Sequence, residues 1–124
     1  MPSAVQLAMI TVLSLGLFSP SLPARAAAHD GSWSVLVATE KGDCDRGYRY
    51  SVNVANGLVR YSGSAAVGLN GTVAPNGAVK VSITSSGQGA ASGTGRLSAN
   101  AGSGTWRGSG DKGTCSGRWE AERR

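Results

Sequence analysis

Glycine interrupts almost every stretch of this chain beyond residue 30, and that leaves short β-strands as its main regular structure. Of 19 glycines, only Gly16 precedes Gly31. Each glycine costs a helix about 1 kcal/mol relative to alanine. No segment between them repeats apolar residues at helical spacing. What recurs is alternation of period two, cut by turn residues at intervals of about eight to twelve positions, the pattern of an antiparallel all-β domain.

The alternation places the strands. Trp33, Val35 and Val37 alternate with Ser34 and Leu36. Glu40 to Arg46 is polar and reads as a loop carrying Cys44. Tyr48, Tyr50, Val52 and Val54 alternate with Arg49, Ser51 and Asn53, and Asn56-Gly57 then suits a tight hairpin turn into residues 58–61. Residues 67–73 make a further strand. Pro75-Asn76-Gly77 turns the chain into Val79, Val81 and Ile83. The low-complexity run at 85–95, SSGQGAASGTG, is expected to be a strand of small residues, because bare backbone gives large rings a place to lie. Residues 104–107 and 114–122 form the closing hairpin. The sum is about eight short strands. Short connections favour an up-and-down antiparallel meander, and closure into a barrel removes its exposed edges.

All three tryptophans sit in Gly-x-Trp units: Gly31-Ser32-Trp33, Gly104-Thr105-Trp106 and Gly117-Arg118-Trp119. Residues two apart share a strand face, so each glycine leaves room beside its tryptophan. Trp33, Trp106 and Trp119 are expected in the structural core. Cys115 shares their inward parity and Arg118 faces solvent. The remaining apolar residues are mostly valines, a thin core with little room for a large enclosed cavity.

Ala4 to Phe18 is an apolar run of signal-peptide length, too short to span a bilayer comfortably. Pro20 and Pro23 follow, then Ala24-Arg25-Ala26-Ala27-Ala28. Residues 1–26 therefore read as a signal peptide cut after Ala26 or Ala28, and residues 27–124 as a single domain with no transmembrane segment, periplasmic or secreted. In an exported chain the two cysteines, Cys44 and Cys115, read as a disulfide. One histidine and two widely spaced cysteines do not make a zinc site. Closing the long loop between them is worth roughly 4 kcal/mol in the chain-entropy picture.

The net charge is +5, and +4 once Arg25 leaves with the signal. These basic residues are scattered, so no nucleic-acid ligand is expected; the partner is an unknown protein or an anionic envelope component. His29 stands at the start of the domain without a fixed partner, and no Ser-His-Asp or Cys-His set can be assembled. Glu40, Asp43 and Asp45 lack the further ligands of a calcium loop. No enzyme activity, metal or resident cofactor is expected. Tyr48, Arg49, Tyr50, Arg60 and Tyr61 bring aromatic and cationic groups onto adjacent strands and form the candidate ligand surface. By parity the tyrosines face inward and the arginines outward.

The order Gly31-Ser32-Trp33, Cys44, Tyr48, Tyr50, Pro75-Asn76-Gly77, Gly95-Arg96-Leu97-Ser98, Ser103 to Trp106 and Cys115 to Trp119 resembles a group of small exported proteins of Gram-negative bacteria with no established activity. The opening Gly-x-Trp also resembles, more distantly, the calycin-type barrels: lipocalins, avidins and bacterial metalloprotease inhibitors. That likeness implies a closed barrel with an arginine from the last strand, here Arg118, over Trp33. The leading reading is an exported binding or interaction module, in its most concrete form a calycin-like protease inhibitor with an ordered arm at residues 27–32; the alternative is a carrier of haem or another small hydrophobic molecule, since a tyrosine oxygen can ligate haem iron and an arginine can meet its propionates. An adhesive or structural envelope protein is a further reading.

Overall fold

The structure, a computed structural model, describes residues 28–85 and 89–124 together with Gly16. The expected signal segment, residues 1–26, lies outside the described residues except for Gly16. Of the two expected cut sites, only Ala28 is described.

The described chain is all-β. Its strands are β1 (Gly31–Lys41), β2 (Gly47–Ala55), β3 (Leu58–Tyr61), β4 (Val67–Val73), β5 (Ala78–Ser85), β6 (Gly89–Leu97), β7 (Ala101–Gly110) and β8 (Gly113–Arg123). Each pairs antiparallel with its neighbour in sequence, and β8 pairs back onto β1, closing an up-and-down barrel. The expected architecture is thus observed, and the small-residue run at 85–95 forms strand from Gly89 onward, residues 86–88 lying outside the described residues. The boundaries differ in two places. β1 continues to Lys41, shortening the first loop to residues 42–46, and the closing hairpin is longer than its alternation suggested. Both extensions come from pairing to neighbouring strands, which holds polar and glycine positions extended whatever their own preference.

Turn chemistry sets the register. Asn56 and Gly57 have φ of 53° and 75°, the left-handed angles of a two-residue hairpin. At the β4–β5 turn, Gly77 has φ 90° and the Asn76 side chain accepts a hydrogen bond from the Ala78 N–H at 3.0 Å. Followed strand to strand from Gly31 through Val54, Val59, Gly71, Val81, Gly93, Trp106 and Gly117, the pairing returns to β1 at Thr39. The sheet therefore closes with an offset of eight residues. Barrels of eight strands have an interior just wide enough to be filled by side chains or to hold one small ligand.

The closing hairpin packs reciprocally. Trp106 is the register partner of Gly117, and Trp119 of Gly104. A methyl group at Gly104 or Gly95 would overlap the Trp119 indole, so that ring lies directly on bare β6–β7 backbone. Its N–H donates to the Thr94 carbonyl at 3.1 Å. The Trp106 N–H donates across β8 to the Ala38 carbonyl of β1 at 2.9 Å. That carbonyl is available because the β1–β8 register slips between Thr39 and Lys41, a bulge that re-aims the backbone toward the space above Gly117.

One end of the barrel is sealed by an arginine other than the expected one. Arg118 is exposed, as its outward parity requires, and does not reach Trp33. Arg123 does: it pairs with Trp33 in register, and its guanidinium carbon lies 4.6 Å from the ring centroid. Arg123 also donates to three backbone carbonyls, through Nε to Ala99 at 2.9 Å, through Nη1 to Asp30 at 2.6 Å and through Nη2 to Ala28. The Trp33 indole N–H donates to the His29 carbonyl at 3.0 Å. The chain from Ala28 to Asp30 is thereby folded under the barrel as a plug. His29, expected as a frayed end, is buried against the β4–β5 turn beside Gly77. Replacing Arg123 with methionine keeps the apolar stem but removes the stacked charge and three donated bonds. We expect a loss of about 2–3 kcal/mol in urea unfolding, with residues 28–30 becoming exchange-labile while the amides of β5 and β6 stay protected.

Candidate functional site

The inward-facing positions do not fill the barrel. A cavity of about 300 Å³ occupies the lumen, lined mainly by apolar side chains. The thin core was expected to leave little space, and the shortfall has a local cause. On β2 to β5 the inward row carries residues such as Tyr50, Val52, Val59, Leu69, Val81 and Ile83. On β6 and β7 the corresponding row is Ala91, Gly93, Gly95, Gly104 and Gly108, with Trp106 among them. Trp119 covers Gly95 and Gly104, but no ring covers Gly93: a side chain built there would start 3.6 Å from the Thr105 carbonyl and from the Trp119 indole nitrogen, ordinary contact distances. Ala91, Gly93 and Gly108 accordingly form part of the cavity wall.

Burial grades along the axis. At the plugged end Trp33, Val52, Val54, Val73, Val79 and Leu97 are buried. On the same inward rows at the other end Val37, Tyr50, Tyr61, Val81, Ile83 and Trp106 are only partly so. The lumen therefore opens at the end where β1 leaves and β8 begins, and the Cys44–Cys115 disulfide stands at its rim. The bridge ties the 42–46 loop to the start of β8. That loop is held further by Thr39, whose hydroxyl donates to the Asp45 carbonyl at 2.6 Å and whose N–H donates to Arg46 at 3.0 Å. Asp45 meets Lys112 of the β7–β8 turn at 3.8 Å. Both side chains are more than half exposed, so this pair orients the rim without stabilising it appreciably.

The candidate ligand surface divides by parity as expected. Tyr48 and Tyr50 line the cavity, with ring centroids 6.3 Å apart and planes inclined 22°. Tyr61 stands edge-on to Tyr50 at 6.2 Å and 77°. Its hydroxyl accepts a hydrogen bond from the Ala65 N–H at 3.1 Å. Burial raises the Tyr50 pKa above the ordinary phenol value, with the neighbouring Tyr48 and Tyr61 adding to the shift. Arg49 and Arg60 lie on the outer face, Arg49 donating to the Ser34 hydroxyl at 3.1 Å. They do not join the tyrosines. Of the core tryptophans, Trp33 and Trp119 are buried and Trp106 is partly exposed; all three border the lumen. Sequence reasoning missed the lumen itself, although the run of small inward residues on β6 and β7 was its signal.

Among the described residues no group of three or more His, Cys, Asp and Glu side chains converges to hold a metal ion, and no helix is long and apolar enough to cross a membrane. The arrangement, a small closed barrel with an apolar lumen open at one end, suits a binding module of the calycin kind in general. The chain matches no family model, no curated protein and no solved structure.

Proposed function

We propose that this protein is an exported, non-enzymatic binding module that carries a small uncharged molecule in its barrel lumen, working in the periplasm or outside the cell. The observation that carries the reading is the apolar cavity of about 300 Å³, sealed at one end and open at the other. Ligand sites in proteins start at about this size, and are largely apolar with a few placed polar groups. The disulfide favours an oxidising compartment. An apolar cavity of roughly 150 Å³ holds benzene, so this lumen suits one compact molecule and is too small for a macrocycle the size of haem.

Protease inhibition is the second reading, and one observation favours it: the arm from Ala28 to Asp30 is ordered. Its carbonyls are nevertheless engaged by Arg123 and Trp33 beneath the barrel, which ties it to sealing the lumen rather than to reaching a protease cleft.

Gly93→Leu tests the carrier reading. The new side chain enters the cavity without backbone overlap, since Gly93 has no left-handed φ and its neighbours stand at 3.6 Å or more. Calorimetric titration with indole, quinoline and 1-octanol should show binding of at least one of them to the wild-type domain. Gly93→Leu should bind none of them while melting within about 3 °C of wild type. Equal binding by both proteins, or none by the wild type, sinks the reading.

A further inference from the structure

We infer that the lumen is built for an uncharged planar aromatic molecule of one or two fused rings that offers a hydrogen-bond acceptor to Tyr50. This rests on the carrier reading above and names the ligand class of that same site.

The shape of the walls comes first. On one side stand Tyr48 and Tyr50, nearly parallel, with Tyr61 edge-on behind them. Facing them across the lumen, β6 and β7 present Ala91, Gly93 and Gly108, where peptide planes rather than side chains form the surface. The Trp106 indole borders the same space, held in place by its bond to Ala38. Aromatic rings on one side and bare backbone on the other gain most from an occupant that can itself make ring contacts. Aromatic faces and edges contribute beyond area burial when a second ring meets them. A flexible aliphatic chain would bury comparable area but would lose rotamer freedom and gain no ring contacts.

Charge comes second. Among the described residues Arg123 is the one charged side chain on the inward-facing rows. It lies beneath Trp33, with its guanidinium committed to Ala28, Asp30 and Ala99. Asp45, Asp111 and Lys112 border the cavity only at the rim. A charged ligand would leave water for a lumen with no counter-charge, a cost that selects against it.

The polar handle comes third. The Tyr61 hydroxyl already accepts from Ala65. The Tyr50 hydroxyl has no hydrogen-bond partner among the described residues, and like any phenol it is a neutral donor at neutral pH. It can donate to a ring nitrogen or carbonyl inside the lumen.

The test compares four probes on the oxidised domain by calorimetry at neutral pH: quinoline, naphthalene, 2-naphthoate and 1-octanol. Quinoline should bind tightest. Naphthalene, isosteric but without an acceptor, should bind roughly fivefold more weakly, the worth of one ordinary hydrogen bond, and 2-naphthoate at least about tenfold more weakly because its charge must be desolvated. Octanol should also fall at least about tenfold below quinoline. Tyr50→Phe should bring quinoline down to the naphthalene affinity while leaving naphthalene unchanged, which checks that the variant is folded. If octanol binds as tightly as quinoline, or 2-naphthoate does, the ligand class assigned here is wrong although the lumen still carries a ligand. Equal binding of quinoline and naphthalene to the wild type removes the role of Tyr50 without needing the variant. If no probe binds, this inference and the carrier reading fall together.

Discussion

Replacing Cys44 and Cys115 together with serine is expected to lower the unfolding free energy by roughly 4 kcal/mol in urea titration. The bridge joins residues 71 apart in sequence, nearly the whole barrel, so the unfolded chain regains much freedom when it is lost. A small domain has only about 5–15 kcal/mol of net stability to begin with. The valine-rich inner face, with a cavity in place of packed side chains, puts this one toward the lower end. The effect should also be local. Gly42 packs against Cys115 with φ 95°, and the Cys44 N–H points at the Cys115 sulfur at 3.2 Å, so the 42–46 loop has little besides the bridge and Thr39 to hold it over the rim. Hydrogen exchange should rise in that loop before it rises at the plugged end. A double-serine protein within about 1 kcal/mol of the oxidised one would mean that pairing of β8 to β1 closes the barrel unaided.

Trp119→Ala should cost about 3–5 kcal/mol, the range for deleting a large buried aromatic ring. Trp119 is 8% exposed, covers Gly95 and Gly104, and spans three strands through its bond to Thr94. Removing it uncovers two glycines at once and extends the existing cavity downward, where little can collapse to refill it. The reciprocal change, Gly104→Ala, adds one methyl group where the indole and the Thr94 carbonyl already stand, and should cost about 1–3 kcal/mol by overpacking. Because both changes act on one contact, their effects should not add: the double variant should be more stable than the sum predicts by about 1 kcal/mol, read from a double-mutant cycle. Strict additivity would show that the ring does not rest on Gly104. Gly93→Leu, two residues from Gly95 on the same strand face, makes the contrast, since the nearest atoms there, the Thr105 carbonyl and the Trp119 indole nitrogen, stand at 3.6 Å, where a side chain fits without overlap.

Much of this architecture was legible in the residues. Period-two alternation and the Asn56-Gly57 and Pro75-Asn76-Gly77 turns located the strands, and parity correctly sent Arg49, Arg60 and Arg118 outward and Cys115 and Trp119 inward. The arginine over Trp33 was misplaced for a definite reason. Parity alone allows Arg123, which shares the inward face of Trp119, but only the pairing of β8 with β1 brings position 123 opposite Trp33. A local pattern carries no cross-strand register. His29 was misjudged in the same way: nothing near it in sequence indicates that Arg123, from the far end of the chain, will fold the Ala28–Asp30 segment under the barrel.

By itself, then, the sequence determined a closed antiparallel barrel with one disulfide, because glycine spacing, alternation and turn residues act over a few positions and need no partner to be read. Which glycines would be covered by rings and which left bare was settled only by the tertiary structure. The eight-residue offset and the bulge between Thr39 and Lys41 lay Trp119 over Gly95 and Gly104, send Trp106 to Ala38, and leave Gly93 open. Cavity volume is the small difference between the space a barrel encloses and the side chains that happen to reach it, and that difference does not exist until the strands are in register.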